Sequence, residues 1–332
     1  MSDVISVKNV TKWYIQKKVT KQNGKTSKKQ TIKAVDGVTF SLQKGETLGV
    51  IGESGCGKST LGKLLIALED PTTGDILING TSTKELIKKD RLAFRRMVQM
   101  IFQNPFDTFD PRYTIYKVFM SALELHNIGK DKEEREKIIV DTLEKGGLVP
   151  AADYLARYPH ELSGGQLQRI SILRSMLLNP LFLVADEPVS MLDVSIRADI
   201  INMLQELTTK KDTTLVFISH DIATTRYISQ KVAVMYLGRI VEMGLTDEVL
   251  HNPQHPYTKV LISNCASLDP LEKREIIHIE GEPPTPINNG PGCYFAPRCY
   301  KACERCFKEY PEFTDLGNGH IASCFNLMDK KE

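Results

Sequence analysis

The 332-residue chain predicts an α/β fold with a mostly parallel sheet covered by helices on both faces. Three short apolar runs carry that expectation: "ETLGVIG", "LFLVADEP" and "TTLVFISHD". Each leads into a segment with helical periodicity, and strands that alternate with helices imply parallel pairing. Hydrophobic residues make up 41% and charged residues 25%, ordinary values that exclude wholesale disorder.

The elements follow in order. "VISVKNVTKWY" and "KAVDGVTFSL" alternate apolar and polar residues and read as strands. Between them, from Lys17 to Lys33, lie seven Lys and no acid. That run reads as a solvated loop, with contact to anionic lipid heads as the alternative. "ETLGVIG" then feeds a glycine turn and a helix from Ser59. A charged, helix-prone middle follows over roughly 84–178. "LFLVADEP" is a second buried strand, "VSIRADIINMLQEL" a helix, and "TTLVFISHD" a third strand with a helix behind it. Near 253 the composition shifts to Pro, Gly and Asn, and a small second module is placed from about 265 onward, giving domains 1–264 and 265–332.

Net charge is only +2, which provides no global drive toward nucleic acid. No apolar stretch approaches the roughly 20 residues of a membrane span, and "MSDVISVKNV" has no signal-peptide pattern, so a cytosolic chain is expected. Seven Cys in such a chain do not point to a disulfide frame.

"VIGESGCGKSTLGKLL", residues 50–65, fits G-x-x-x-x-G-K-[ST] between a strand and a helix. Bare glycines let successive N–H groups converge on phosphate oxygens at a helix N-terminus. Gly52, Glu53, Ser54, Gly55, Cys56, Gly57, Lys58, Ser59 and Thr60 form the expected turn, which by itself implies only that a nucleoside triphosphate is bound. Lys58 is assigned to the β- and γ-phosphates and the Ser59 hydroxyl to Mg²⁺. Cys56 reads as a small residue that fits the turn, with an oxidation-sensitive thiolate as the alternative. Asp186 ends the apolar run Leu181 to Ala185 and supplies a carboxylate for Mg²⁺. Glu187, next to it, is placed to orient and polarise the attacking water.

With "LSGGQLQR", residues 162–169, these motifs resemble the ATP-binding-cassette family over about residues 4–250. The resemblance implies a P-loop NTPase cassette with an antiparallel strand subdomain and a helical subdomain. It implies a head-to-tail dimer in which Ser163, Gly164, Gly165, Gln166 and Asp193 meet ATP held by the opposite subunit. Gln103 in "IFQNP" is implied as the residue sensing Mg²⁺ and water, and His220 in "FISHD" as a γ-phosphate contact. Tyr14 is the expected adenine-stacking aromatic, with Trp13 as the alternative. Leu167 departs from the polar residue usual there, and Met191 from the usual Ala.

"RYPHELSGGQ", "NPFDTFDPR", "HNPQHPYTKVL" and "EGEPPTPIN" are similar to ATPase subunits of oligopeptide and dipeptide importers. That similarity implies an ATP-hydrolysing motor on the cytoplasmic face of the membrane. Its implied partners are a second, homologous ATPase subunit, two transmembrane permease subunits and an extracytoplasmic substrate-binding protein, with no nucleic acid. Related importers carry nickel or oligosaccharides, and a non-transport cassette ATPase is the further alternative.

Five Cys lie between Cys293 and Cys324. Zinc, an iron–sulfur cluster and reduced structural thiols all compete for them, although only Cys303 and Cys306 make a C-x₂-C knuckle. The importer resemblance implies C-x₅-C-x₆-C-x₁₇-C and a [4Fe–4S] cluster, matched by Cys293, Cys299, Cys306 and Cys324. Cys303 is extra and able to swap for a neighbour, His320 falls within the motif but reads equally as a surface residue, and Cys265 reads as a small apolar residue.

Overall fold

Two sheets organise the chain in the computed structural model, which describes residues 3–16, 30–264, 277–279, 281, 284, 287 and 289–327. Most of the basic run after Lys17, and Cys265, lie outside the described residues. In chain order the strands are β1 (Asp3–Gln16), β2 (Gln30–Gln43), β3 (Thr47–Ile51), β4 (Thr73–Ile78), β5 (Thr81–Ser82) and β6 (Val98–Ile101). They continue as β7 (Phe182–Asp186), β8 (Thr214–Ile218), β9 (Lys231–Tyr236), β10 (Arg239–Leu245), β11 (Thr314–Asp315) and β12 (Ile321–Ala322).

The smaller sheet is antiparallel, in the order β2-β1-β4-β5. The larger sheet runs β11-β12-β10-β9-β3-β8-β7-β6, and its β9-β3-β8-β7-β6 half is parallel. Every residue of β3, β7 and β8 is buried, which is why these strands read as unbroken apolar runs rather than alternating ones. The C-terminal ends of these parallel strands converge where ligands bind in open α/β sheets.

One core packs the smaller sheet and the helix Lys58–Leu65 against the larger sheet through Val7, Phe40, Leu61 and Val184. A second joins the helices Ile115–Leu125, Lys132–Lys145 and Gly164–Leu177 through Phe119, Leu123, Leu143 and Leu173. The 84–178 stretch is thus largely helical, except that β6 inside it joins the larger sheet beside β7. Its four residues, "VQMI", are too short for their period to stand out beside charged helices.

The C-terminal extension is sewn to the larger sheet. β12 pairs with β10, and Glu242 on β10, fully buried, accepts from Gln254 N–H at 2.8 Å and His255 N–H at 2.9 Å. His320 Nε2 lies 2.8 Å from the same carboxylate. A buried carboxylate needs such partners, so His320 is a structural tie rather than a surface residue. Among the described residues no helix is long and apolar enough to cross a membrane.

Candidate nucleotide site

The glycine turn after β3 wraps the start of the helix Lys58–Leu65. Gly57, at its N-cap, has φ of 104°, and a Cβ there would lie 2.0 Å from the Ala34 carbonyl oxygen. Only glycine fits that approach. Beside the turn opens a cleft of about 590 Å³ lined by Ser54, Gly55, Gly57, Lys58, Ser59 and Thr60. Gln103, Glu187 and His220 reach the same cleft from beyond β6, β7 and β8, with Ile32 and Ala34 of β2 completing the wall.

Lys58 Nζ donates to the carbonyls of Gly52 at 2.7 Å and Glu53 at 2.9 Å, so the turn itself orders its cation. Ser59 Oγ donates to Asp186 Oδ1 at 3.0 Å. Burial pushes the Asp186 carboxyl up, the Ser59 bond opposes this, and the neighbouring Glu187 charge adds to it. A hydroxyl touching a buried carboxylate is an all-oxygen donor pair suited to Mg²⁺, which would recover the cost of ionising Asp186 there.

Glu187 is held in a left-handed conformation, φ 45°. Its N–H donates to the Ile218 carbonyl at 2.9 Å, and its own carbonyl accepts from Ser190 N–H at 3.2 Å and Ser190 Oγ at 3.1 Å. Such a conformation costs on the order of 1–3 kcal/mol and is retained because these bonds determine it. Its carboxylate accepts from Gln103 Nε2 at 3.1 Å and lies 3.3 Å from His220 Nδ1. The three side chains predicted to surround the reacting phosphate therefore meet at one oxygen, Glu187 Oε2.

Other predicted residues stand apart. Tyr14 and Trp13 leave opposite faces of β1. Tyr14 donates from its hydroxyl to Glu69 at 2.5 Å, whereas Trp13 Nε1 donates to Asp36 at 3.2 Å. Neither lines the cleft. Cys56 is buried under the turn, and burial pushes its thiol up, so its side chain acts as packing. Ser163 caps the helix Gly164–Leu177 in a reciprocal pair with Gln166, at 3.3 and 3.0 Å. Gly164, Gly165 and Asp193 adjoin it or the next helix, and none of these five lines the cleft of its own chain. Leu167 is fully buried, which accounts for an apolar residue at that position.

Cys293, Cys299, Cys306 and Cys324 line one pocket with Phe295, Pro311 and Phe325, and Cys303 stands outside it. Burial pushes the Cys293 thiol up to about 11 and Cys324 up to about 12. Backbone N–H groups point at these sulfurs, including Asn326 N–H at 3.3 Å from Cys324 Sγ. Among the described residues no group of three or more His, Cys, Asp or Glu side chains is arranged to hold a metal ion. The donor set is nonetheless chemically apt for an iron–sulfur cluster: four thiols in an apolar pocket, with N–H donors at sulfur.

Sequence reasoning missed Arg298 and Tyr257, which grip the glycine turn from outside the cleft. Glu53 N–H donates to the Tyr257 hydroxyl at 2.9 Å, and its carboxylate accepts from Arg298. Their only signal was position within "HPYTKVL" and "FAPRC", far along the chain.

This glycine cradle, the acid pair and a second glycine-led helix capped by the exposed Ser163 define a nucleotide-hydrolysing cassette. Residues 35–190 match the ABC transporter family, and residues 241–306 match the oligopeptide/dipeptide transporter C-terminal region. The chain is 44% identical over 299 residues to a putative oligopeptide transport ATP-binding protein, YkfD, of Bacillus subtilis, covering 90% of each chain. It is 44% identical over 306 residues to the dipeptide transport ATP-binding protein DppF of Haemophilus influenzae, covering 92% of this chain and 93% of that one. Among solved structures, the dimeric post-hydrolysis ATP-binding cassette MJ0796 bound to ADP and Pi has a TM-score of 0.62 at 27% identity, covering 73% of this chain and 98% of its own. The chain belongs to the ABC transporter ATPases, of the oligopeptide/dipeptide transporter group.

Proposed function

We propose that the chain is the ATP-hydrolysing motor of a binding-protein-dependent importer of dipeptides or oligopeptides. The observation that carries the chemistry is Glu187 Oε2 between Gln103 Nε2 and His220 Nδ1 beside the phosphate turn. Lys58 and the turn's N–H groups bind the phosphates, and Ser59 and Asp186 hold Mg²⁺, with Gln103 beside it. The metal supplies charge neutralisation at the phosphates. Glu187 orients and polarises the water, and His220 contacts the γ-phosphate.

Ser163, Gly164, Gly165, Gln166 and Asp193 complete the site of a second ATPase subunit, in a heterodimer. Their absence from the chain's own cleft and the exposure of Asp193, Met191 and Val194 support that reading. Tyr14 is assigned to adenine. The pair drives two permease subunits at the cytoplasmic face, supplied by an extracytoplasmic binding protein. Residues 1–264 are the cassette and 265–332 the extension. The extension's four thiols are assigned to a [4Fe–4S] cluster, tested by iron and sulfide analysis of protein purified without oxygen; zinc in place of iron rejects it.

Peptide cargo rests on the names of the relatives and on the C-terminal region match. The test is ATP hydrolysis by this chain reconstituted with its permease and ATPase partners. Stimulation by peptide-loaded over empty binding protein supports the proposal. A response only to nickel or oligosaccharide keeps the motor and rejects the cargo, and failure to join a permease rejects transport.

A further inference from the structure

The glycine turn is held from behind by the C-terminal extension, at the one acidic residue within it. Arg298 donates from Nη1 to Glu53 Oε2 at 2.8 Å and from Nη2 to Glu53 Oε1 at 3.1 Å. The guanidinium side chain is only 8% exposed and its Nη1 also reaches the Tyr236 hydroxyl at 3.3 Å. This two-pronged fit is the strong form of an arginine–carboxylate contact, which a lysine does not reproduce.

Every polar handle of Glu53 is taken. Its N–H goes to Tyr257, its carbonyl accepts from Lys58 Nζ, and its carboxylate faces Arg298. Tyr257, Tyr236 and Phe295 pack together beneath it, with ring centroids 4.6 to 5.3 Å apart. The side chain is thereby turned away from the cleft that its neighbours Ser54 and Gly55 line. Released, it would put a negative charge beside a turn whose task is to hold phosphates.

We propose that Arg298 is a positioning residue for nucleotide binding: by neutralising and anchoring Glu53 it keeps the phosphate turn open to anions and couples it to the cysteine-lined extension. Arg298 immediately precedes Cys299, so the order of that pocket sets the place of the guanidinium. The inference rests on the glycine turn being the phosphate cradle, and it adds a residue on the far side of the turn to those that touch the cleft.

The test is titration of the full chain with a fluorescent ATP analogue and Mg²⁺, with unfolding midpoints measured in parallel. Arg298→Gln keeps the stem packed on Tyr236 and removes the charge. It should weaken nucleotide binding about tenfold, which corresponds to about 1.4 kcal/mol. Arg298→Lys, retaining charge without the fork, should weaken it less. Adding Glu53→Gln to Arg298→Gln should restore most of the loss, because no carboxylate is left to repel phosphate. A purely structural role would lower the unfolding midpoint in step with affinity, because it leaves an unpaired carboxylate, and both would be rescued together; the positioning role lowers affinity with the midpoint little changed. Wild-type affinity in Arg298→Gln, or no rescue in the double variant, overturns the proposal. If Arg298→Gln does not fold, Arg298→Met, with an apolar stem and no charge, makes the same comparison with and without Glu53→Gln, and rescue remains the required result. A wild-type chain that binds no nucleotide overturns the cradle reading itself, and this inference with it.

Discussion

Asp36 on β2 accepts a 2.7 Å hydrogen bond from the hydroxyl of Tyr294 in the C-terminal extension, across 258 residues of sequence. The same carboxylate, 4% exposed, takes Arg239 Nε at 2.9 Å and Trp13 Nε1 at 3.2 Å, with Lys33 Nζ at 3.6 Å. Burial alone would push the Asp36 carboxyl up; the Tyr294, Arg239 and Lys33 contacts outweigh it and hold the group below its usual range. One buried acid therefore ties both sheets to the extension. Asp36→Ala should cost about 3 kcal/mol in urea unfolding, the low end for breaking a buried pair, because Arg239 remains 29% exposed. Tyr294→Phe should cost about 1.5 kcal/mol, the low end for a hydrogen bond to a charged group. Equal, small effects from both would show that the network does not bind the layers.

Gly57→Ala tests the turn at its tightest point. The new Cβ would sit 2.0 Å from a main-chain oxygen on β2, and no rotamer change relieves a backbone clash. With φ at 104° the alanine is also strained. A stability loss of about 2 kcal/mol or more is expected, together with loss of nucleotide binding. A variant as stable as wild type that still binds MgATP would contradict this geometry.

The nucleotide chemistry was legible because it is local. A phosphate cradle, a strand ending in Asp186–Glu187 and a strand leading to His220 each announce themselves within a few residues, and β3, β7 and β8 only had to bring them together. Contacts made across long separations were not legible. Nothing near Glu53 points to Arg298, 245 residues away, and nothing near Asp36 points to Tyr294. β11 and β12, two residues each, have no period to read; they exist because β10 offers an edge. Trp13 and Tyr14 show the same limit. Alternation says that they face opposite ways, but not which face meets Asp36.

Glu187→Gln keeps the side chain's size and can still contact Gln103, but removes the charge that polarises water. ATP turnover in the assembled complex should fall about 10²–10⁴-fold, while nucleotide affinity stays within a few-fold of wild type. A loss of affinity equal to the loss of turnover would instead make Glu187 a binding residue. Turnover near the wild-type rate would move the role elsewhere, with His220 the first candidate by distance.

His255 links folding to pH. Its ring is 1% exposed, its Nδ1 accepts from Tyr257 N–H at 3.1 Å, and burial lowers its pKa from 6.5 to about 3. Between those values the unfolded chain takes up a proton that the folded chain refuses. The unfolded state binds more protons there, so stability rises with pH and is lost on acidification, by up to about 1.4 kcal/mol per pH unit. The loss should begin as pH falls through about 6.5 and continue toward 3. Carboxylates titrate at the lower end of that window, so the informative quantity is the difference from His255→Asn, which offers a side-chain oxygen to the same N–H. Unfolding free energies at pH 6.5, 5.5 and 4.5 should fall more steeply for wild type than for the variant. Parallel slopes would mean that the ring takes its proton without leaving the fold.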